Sequence, residues 1–257
     1  MKNILSFIFF IYCSVVFANN KPAKEFYQIT VYHFSTAQQE QVLDNYFQNA
    51  LLPALHRHGF SNIGVFKSLA NDTVADKTIY VFMHLKSLEL ITTLQTKLDK
   101  DSTYKRAGAE YLNAVYTAAP YTRMEIILTE AFPLAPQMQL PKLKAAKNER
   151  VYELRSYESA TEKIFANKVK MFNDGDEIGL FKRLNFNAVF YSRVVSGSKM
   201  PNLMYMTCFE NKADRDEHWK TFGADPYWKK LSAMEEYQHN VSHIDIYFLR
   251  PTEYSDF

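Results

Sequence analysis

Phe26-Tyr27-Gln28-Ile29-Thr30-Val31-Tyr32 returns 125 positions later as Val151-Tyr152-Glu153-Leu154-Arg155-Ser156-Tyr157, with both tyrosines and an aliphatic residue between them in place. Each stretch opens a similar series of predicted elements: a strand, an amphipathic helix, two strands, a second helical region and a last strand. Internal repetition constrains the architecture of a chain more strongly than any single element does. The sequence therefore predicts two structurally similar halves.

The elements of both halves are predicted from alternation, helical periodicity and capping residues. The predicted strands lie at 26–34, 63–69, 77–85, 121–132, 151–157, 187–195, 203–209 and 242–249. Capping boxes, in which a hydroxyl residue is followed three positions later by Gln or Glu, predict helix starts near Ser35 and at Ser159. Pro53 is expected to kink the first long helix. Asp225 and Pro226 predict the N-cap and the first position of the last helix.

The order β-α-β-β-α-β is that of a ferredoxin-like unit, an α+β fold in which helices cover one face of an antiparallel sheet. The other face of each sheet must also be buried. Two tandem units can bury these faces by packing sheet to sheet as a pseudo-dimer with a barrel-like interior. The expected boundaries are residues 19–132 for the first unit, 133–149 for a linker rich in proline and lysine, and 150–257 for the second unit.

The N-terminus has the pattern of a secretory signal peptide. Met1-Lys2-Asn3 precedes an apolar run at 4–17, and Val16-Phe17-Ala18 is a suitable cleavage site. The run is shorter than the ~20 residues of a membrane-spanning helix. We therefore expect a signal peptide at 1–18, a mature chain that begins at Asn19, a secreted or periplasmic location, and no membrane association after cleavage.

Composition and motifs exclude several classes of function. The formal charge is +2 and no block of lysine and arginine occurs, so no nucleic-acid partner is predicted. The sequence has no His-Glu-x-x-His, Cys-x-x-Cys or glycine-rich phosphate motif, so no metal and no cofactor are predicted. Cys208 is interpreted as a small core residue. A small-molecule ligand, a protein partner and a homo-oligomer remain open.

Strand alternation selects the candidate site residues. If Tyr152 and Leu154 face the helices, then Glu153, Arg155 and Tyr157 point into the barrel interior. An arginine in that position can hold an anionic or carbonyl-bearing ligand. The alternative is a structural ion pair between Glu153 and Arg155.

Three residues on neighbouring strands are expected to line the same site. Tyr191 and Arg193 alternate on one strand, and Tyr205 lies on the next. The first-half counterparts of the charged pair, Gln28 and Thr30, carry no charge. Any site is therefore expected to be asymmetric and weighted toward the second half.

The second half also contains a set of distinctive motifs. They are 152–157 (Tyr-Glu-Leu-Arg-Ser-Tyr), 200–205 (Met-Pro-Asn-Leu-Met-Tyr), 219–222 (Trp-Lys-Thr-Phe), 225–231 (Asp-Pro-Tyr-Trp-Lys-Lys-Leu) and 249–255 (Leu-Arg-Pro-Thr-Glu-Tyr-Ser). Trp219, Phe222 and Trp228 are interpreted as packing residues that fix the angle between two helical segments. Asp225 and Pro226 start the second of these segments.

Through these motifs the chain resembles the NIPSNAP family, closely in its second half and more weakly in its first. The resemblance implies the dimeric α/β-barrel fold. It implies no particular reaction, because the family has no agreed catalytic residues. The sequence is therefore expected to encode an exported protein that binds a small ligand or a protein partner. The alternative is a cofactor-independent enzyme, similar to a monooxygenase or an isomerase, that acts on a small aromatic or lactone substrate.

Overall fold

The computed structural model describes residues 22–257. The predicted signal peptide at 1–18 lies outside the described residues. Among the helices of residues 22–257, none combines the length and the apolar character that crossing a membrane requires.

The first half folds close to its prediction. Its elements are strands β1 (Phe26–Phe34), β2 (Gly64–Ser68), β3 (Lys77–Leu85) and β4 (Arg123–Ala131), and helices α1 (Ala37–Tyr46), α2 (Leu52–Arg57), α3 (Glu89–Lys100), α4 (Ser102–Ala107) and α5 (Ala109–Leu112). Helix α1 begins in a capping box: Thr36 Oγ1 accepts from the Gln39 amide at 3.2 Å, and Gln39 Oε1 accepts from the Ser35 amide at 3.0 Å. The predicted strands at 26–34 and 77–85 are confirmed without shift.

The interruption expected at Pro53 takes the form of a π-helical turn. Residues Phe47–Leu51 form this turn between α1 and α2. The Leu52 amide reaches back five positions to the Phe47 carbonyl. Pro53 then stands in the first turn of α2, where a helix does not need its missing N–H group.

The second half repeats the order of elements. It consists of strands β5 (Val151–Glu158), β6 (Phe190–Ser196), β7 (Asn202–Phe209) and β8 (His243–Pro251), and helices α6 (Glu162–Asn173), α7 (Glu177–Arg183), α8 (Lys212–Ala224) and α9 (Pro226–Ser232). The capping box predicted at Ser159 is wrong. Thr161 is the N-cap of α6, with Oγ1 accepting from the Ile164 amide. Ser159 instead donates to the Asn240 carbonyl at 2.7 Å, which ties the end of β5 to the loop before β8.

The eight strands of residues 22–257 belong to one closed barrel in the order β1-β3-β2-β8-β5-β7-β6-β4. Each half contributes four adjacent strands. The α+β class and the barrel are therefore confirmed, but packing sheet to sheet is the wrong description of the closure. The halves join edge to edge through antiparallel pairs β2–β8 and β4–β6. Closure in this way leaves no strand edge unpaired.

The pairing register repeats between the halves. Equivalent pairs are Tyr27–His84 and Tyr152–Cys208 inside the halves, and Phe66–Pro251 and Ala131–Ser192 at the two seams. The two seams are therefore related by the same pseudo-two-fold axis that relates the two halves.

The predicted orientation of β5 is wrong. Tyr152 and Leu154 lie in the barrel interior, in one cluster with Tyr27, Ile29 and other residues from both halves. Glu153, Arg155 and Tyr157 consequently face the helices. Alternation itself holds, but both faces of β5 are buried. The pattern of apolar residues alone therefore could not identify which face is the interior.

One end of the barrel is filled by aromatic side chains. The ring centroids of Tyr27 and Phe190 are 5.0 Å apart, and those of Phe82 and Phe190 are 5.1 Å apart. Phe257 at the C-terminus packs on Phe66 with centroids 5.5 Å apart. Any space for a ligand within the barrel must therefore lie toward the other end.

We predict that neither half is soluble when it is expressed alone. Separation would expose the aromatic interior and four strand edges, and exposed edges and apolar patches promote aggregation. Expression of residues 19–149 and 150–257, separately and together, checks this by size-exclusion chromatography. The expected result is aggregation of each fragment and a soluble heterodimer on co-expression. A folded, monomeric fragment would contradict the edge-to-edge closure.

Candidate functional site

Four of the predicted site residues meet in a buried polar network beneath α8. Glu153 is fully buried. Its Oε1 accepts from Arg155 Nε at 2.6 Å and from Arg215 Nη2 at 2.9 Å. Its Oε2 accepts from Arg215 Nε at 2.6 Å and from the Trp219 indole N–H at 2.9 Å. Both carboxylate oxygens are thus occupied by protein donors.

Arg155 extends this network to two tyrosines. Its Nη1 donates to Tyr157 Oη at 3.0 Å, and the hydroxyls of Tyr157 and Tyr205 are 2.8 Å apart. The guanidinium carbon lies 3.8 Å from the centroid of the Trp219 ring, in cation–π contact. The arginine therefore has a charged partner, a hydroxyl partner and an aromatic partner within the protein.

The network holds its charges in the ionised state. Burial tends to raise the pKa of Glu153, but hydrogen bonds and charge from Arg215 and Arg155 outweigh it and hold the pKa below the ordinary value of 4.5. Burial tends to lower the pKa of Arg155, yet the surrounding hydroxyls and the carboxylate raise it. Such satisfied contacts are what a buried ion pair requires. They favour the structural alternative of the sequence analysis.

The other two predicted site residues, Tyr191 and Arg193, lie outside the charged network around Glu153. Tyr191 stacks on Tyr205 with centroids 5.7 Å apart, in the aromatic layer between the sheet and the helices. Arg193 is half-exposed and pairs with Glu130 across the β4–β6 seam at 2.7 Å. The structure therefore does not bring Arg193 to the network.

Residues of the distinctive motifs organise the helices that cover this layer. The rings of Trp219 and Phe222 lie 5.3 Å apart, and those of Phe222 and Trp228 lie 4.6 Å apart. Asp225 caps α9 by accepting from the Tyr227 and Trp228 amides at 2.8 and 3.3 Å. The contact from Trp219 to Glu153 was not foreseen, because nothing in their spacing indicates that α8 crosses over β5.

A separate cavity of about 340 Å³ lies between the two halves. It occupies the end of the barrel opposite the aromatic side chains of Tyr27, Phe82 and Phe190. Its apolar wall includes Val31, Tyr80, Ile127, Val194 and Met204, and its polar wall includes His33, Asp76, Thr78, Glu125, Ser156, Lys199, Asn202 and Tyr247. None of the six predicted site residues lines this cavity, whose residues on β5 and β7 lie on the opposite strand face.

Asn202 is the most deeply buried amide in the cavity wall, with 3% of its surface exposed. Its Nδ2 donates to Ser156 Oγ at 2.8 Å. Its Oδ1 has no hydrogen-bond partner among residues 22–257. An unpaired buried polar atom costs about 1–3 kcal/mol, so Asn202 is an incompletely satisfied polar residue in the cavity wall. Asn202 alternates with Met204 and Met206 along β7. This alternation was the sequence signal that could have placed Asn202 on the same strand face as the two methionines.

His33 lies at the mouth of the cavity between two carboxylates. Its Nδ1 is 2.9 Å from Asp76 Oδ2, and its Nε2 is 3.8 Å from Glu125 Oε1. Nε2 has no hydrogen-bond partner in the described part of the chain. With a proton on Nδ1 directed at Asp76, Nε2 is a buried acceptor.

Across the mouth, Glu158, His243 and Asp245 place possible metal-ligand atoms within 4.8 Å of one another. The sequence analysis did not consider them. Asp245 Oδ2 already accepts from Lys199 Nζ at 2.5 Å. Burial opposes the ionisation of Asp245, but this lysine and His243 hold its pKa below the usual range. A metal ion would have to compete with the lysine ammonium for this carboxylate.

Comparison with known proteins identifies the second half. Residues 152–256 match the NIPSNAP family model. These residues form a NIPSNAP domain. A NIPSNAP family protein from Agrobacterium tumefaciens matches 46% of this chain over 98% of its own length, with 17% identity and a TM-score of 0.38. No curated protein matches the chain.

Two solved structures match nearly the entire chain and show the fold. A proposed monooxygenase from Lactobacillus acidophilus has 12% identity and a TM-score of 0.56, covering 89% of this chain and 94% of its own. A proposed monooxygenase from Fusobacterium nucleatum has 7% identity and a TM-score of 0.58, covering 89% and 93%. At these identities the two structures show that this chain shares their fold and nothing more.

We predict that Glu153→Leu destabilises the protein by ~3–5 kcal/mol, because it leaves Arg155 and Arg215 without their carboxylate. Arg155→Met should cost less, since Arg215 and Trp219 still satisfy Glu153. The double variant should recover much of the loss, because the remaining cation, Arg215, is only partly buried and keeps its contact to Asp216 at 2.9 Å. Urea unfolding measures these differences.

Arg193→Met is the matched control and should cost at most ~1 kcal/mol, as expected of a half-exposed pair. A ligand role for Arg155 predicts a different result. Arg155→Met would then leave stability nearly unchanged and abolish retention of a bound molecule.

The lowered pKa of Glu153 predicts a dependence of stability on pH. An ionised, paired carboxylate contributes stability that is present above its unfolded pKa, near 4.5, and is lost as the pH falls through the lower folded pKa. The difference in unfolding free energy between the wild type and Glu153→Gln should therefore shrink as the pH falls below about 4.5. A difference that stays constant between pH 7 and pH 3 would contradict the charged network.

Proposed function

We propose that this protein binds a small organic molecule in the barrel-end cavity. The observation that carries the proposal is a cavity that both halves build and that combines an apolar wall with polar groups. One of these polar groups is the buried Asn202 amide, whose oxygen has no hydrogen-bond partner among residues 22–257. Ligand pockets in proteins typically span ~300–1,000 Å³ and combine apolar walls with a few fixed polar groups. At about 340 Å³, this cavity suits a small ligand.

The architecture supports a second part of the proposal. We infer that the chain is a tandem pair of ferredoxin-like units, residues 19–132 and 150–257, joined by a linker at 133–149. The repeated register and the equivalent seams support this inference. In such a pseudo-dimer the two halves can diverge independently. This divergence explains how one cavity acquires different groups on its two sides.

We also propose that the protein is exported, on the basis of the apolar run and the cleavage site before Asn19. A ligand-binding protein in the secreted or periplasmic space would meet small molecules before they enter the cell. The intact mass of the protein recovered from outside the cytoplasm tests this proposal. A mass that includes residues 1–18 would count against cleavage.

A reaction is the second candidate function, and His33 is the observation that favours it. His33 lines the cavity, Asp76 holds its Nδ1, and its buried Nε2 has no hydrogen-bond partner among the described residues. This is the arrangement of a general base, as an isomerase-like enzyme without a cofactor would need. The retained molecule, incubated with the protein in D₂O, should then gain deuterium bound to carbon with the wild type and gain none at carbon with His33→Gln. Equal incorporation with both would exclude His33 as the base.

Filling the cavity should abolish ligand retention. Thr78 lines the cavity and is only partly buried, so Thr78→Phe should occupy the space without unfolding the barrel. Thr93→Phe on α3, also partly buried but remote from the cavity, is the matched control. Mass spectrometry after denaturation of protein purified from its native host should find a small molecule with the wild type and the control, and none with Thr78→Phe. Equal retention by all three would contradict the proposed site.

A further inference from the structure

The rim of the barrel-end cavity carries an excess of negative charge. Its carboxylates are Asp76, Glu125, Glu158 and Asp245, its permanent cations are Arg123 and Lys199, and its histidines are His33 and His243. With neutral histidines, four carboxylates oppose two cations, which gives a formal charge of −2. The opening of a low-dielectric cavity concentrates such a potential.

The two cations leave part of this negative charge uncompensated. Lys199 is fully engaged by Asp245 at 2.5 Å and by the Tyr247 hydroxyl at 3.2 Å. Arg123 is 4.0 Å from Glu125, and 68% of its side chain is exposed, so it screens Glu125 only weakly. Glu125, Asp76 and Glu158 therefore provide the uncompensated charge at the mouth, and of these three Glu125 and Asp76 line the cavity.

The wall next to this charge is aromatic. The rings of Tyr80 and Tyr247 both line the cavity, with centroids 5.7 Å apart and planes inclined by 46°. The ammonium of Lys199 lies 5.9 Å from the centroid of the Tyr247 ring. The protein thus already places one cation near this ring, within the range at which cation–π attraction operates.

We propose that the cavity selects a small organic ammonium ion with an aromatic or apolar body. The body would lie against Val31, Ile127 and Met204, and the ammonium would lie at the mouth near Glu125 and Asp76. This inference rests on the proposed small-molecule function and adds the charge of the ligand.

Three matched probes test the inference: phenethylammonium, 2-phenylethanol and phenylacetate, which share a ring and differ in charge. Titration calorimetry at pH 8, where histidine is largely neutral, measures their affinities for the mature protein. Phenethylammonium should bind at least about tenfold more tightly than 2-phenylethanol. Phenylacetate should bind most weakly, because the rim repels it.

Glu125→Gln should reduce the preference for phenethylammonium over 2-phenylethanol several-fold. Glu110→Gln, at an exposed position on α5, is the control and should leave the preference unchanged. Equal affinity for the ammonium and the alcohol, or tighter binding of phenylacetate, would overturn the inference that the ligand is positively charged. The proposal that the cavity binds a small molecule would then still stand. Binding of none of the probes would overturn this ligand class. The retention experiment with Thr78→Phe separately decides the proposed function.

Discussion

Edge-to-edge closure of the barrel is the constraint on which the rest of this structure depends. Because β2 pairs with β8 and β4 with β6, each half loses its free sheet edges to the other half. The interior then becomes a shared compartment that belongs to neither unit alone. The core around Tyr27 and Tyr152 and the cavity at the other end both follow from this shared interior.

Closure also explains which parts of the site the sequence could not predict. Local signals located β1 and β3 to the residue, and the Asp225 cap of α9 follows from its immediate neighbours. The orientation of β5 is a different matter, because both of its faces are buried. The helix-covered face of β5 is also buried, and a buried face normally disfavours a charged side chain. It accommodates Glu153 because Arg215 and Trp219 on α8 donate hydrogen bonds to the carboxylate. Such long-range partners leave no trace in local periodicity.

The structure thus separates two roles that the sequence analysis had merged. The charged network beneath α8 has partners for its carboxylate and its guanidinium, and it joins a helix to the sheet. The barrel-end cavity has the opposite character: within the part of the chain that the structure describes, the amide oxygen of Asn202 and Nε2 of His33 in its lining residues have no hydrogen-bond partner. Unsatisfied polar groups in a cavity wall indicate recognition more strongly than satisfied charges in a packed layer do. The residues that define the cavity are mostly uncharged, and sequence motifs therefore did not select them.

Methyl NMR of the mature protein with phenethylammonium tests the location of binding most directly. The proposed site predicts shift changes for Val31, Ile127 and Met204, which line the cavity. Met171, packed in the helix layer with Leu231 and Tyr237, should not change. Changes confined to Met171 and the Trp219 indole, with the cavity methyl groups unaffected, would place the ligand between the sheet and the helices and contradict the barrel-end site.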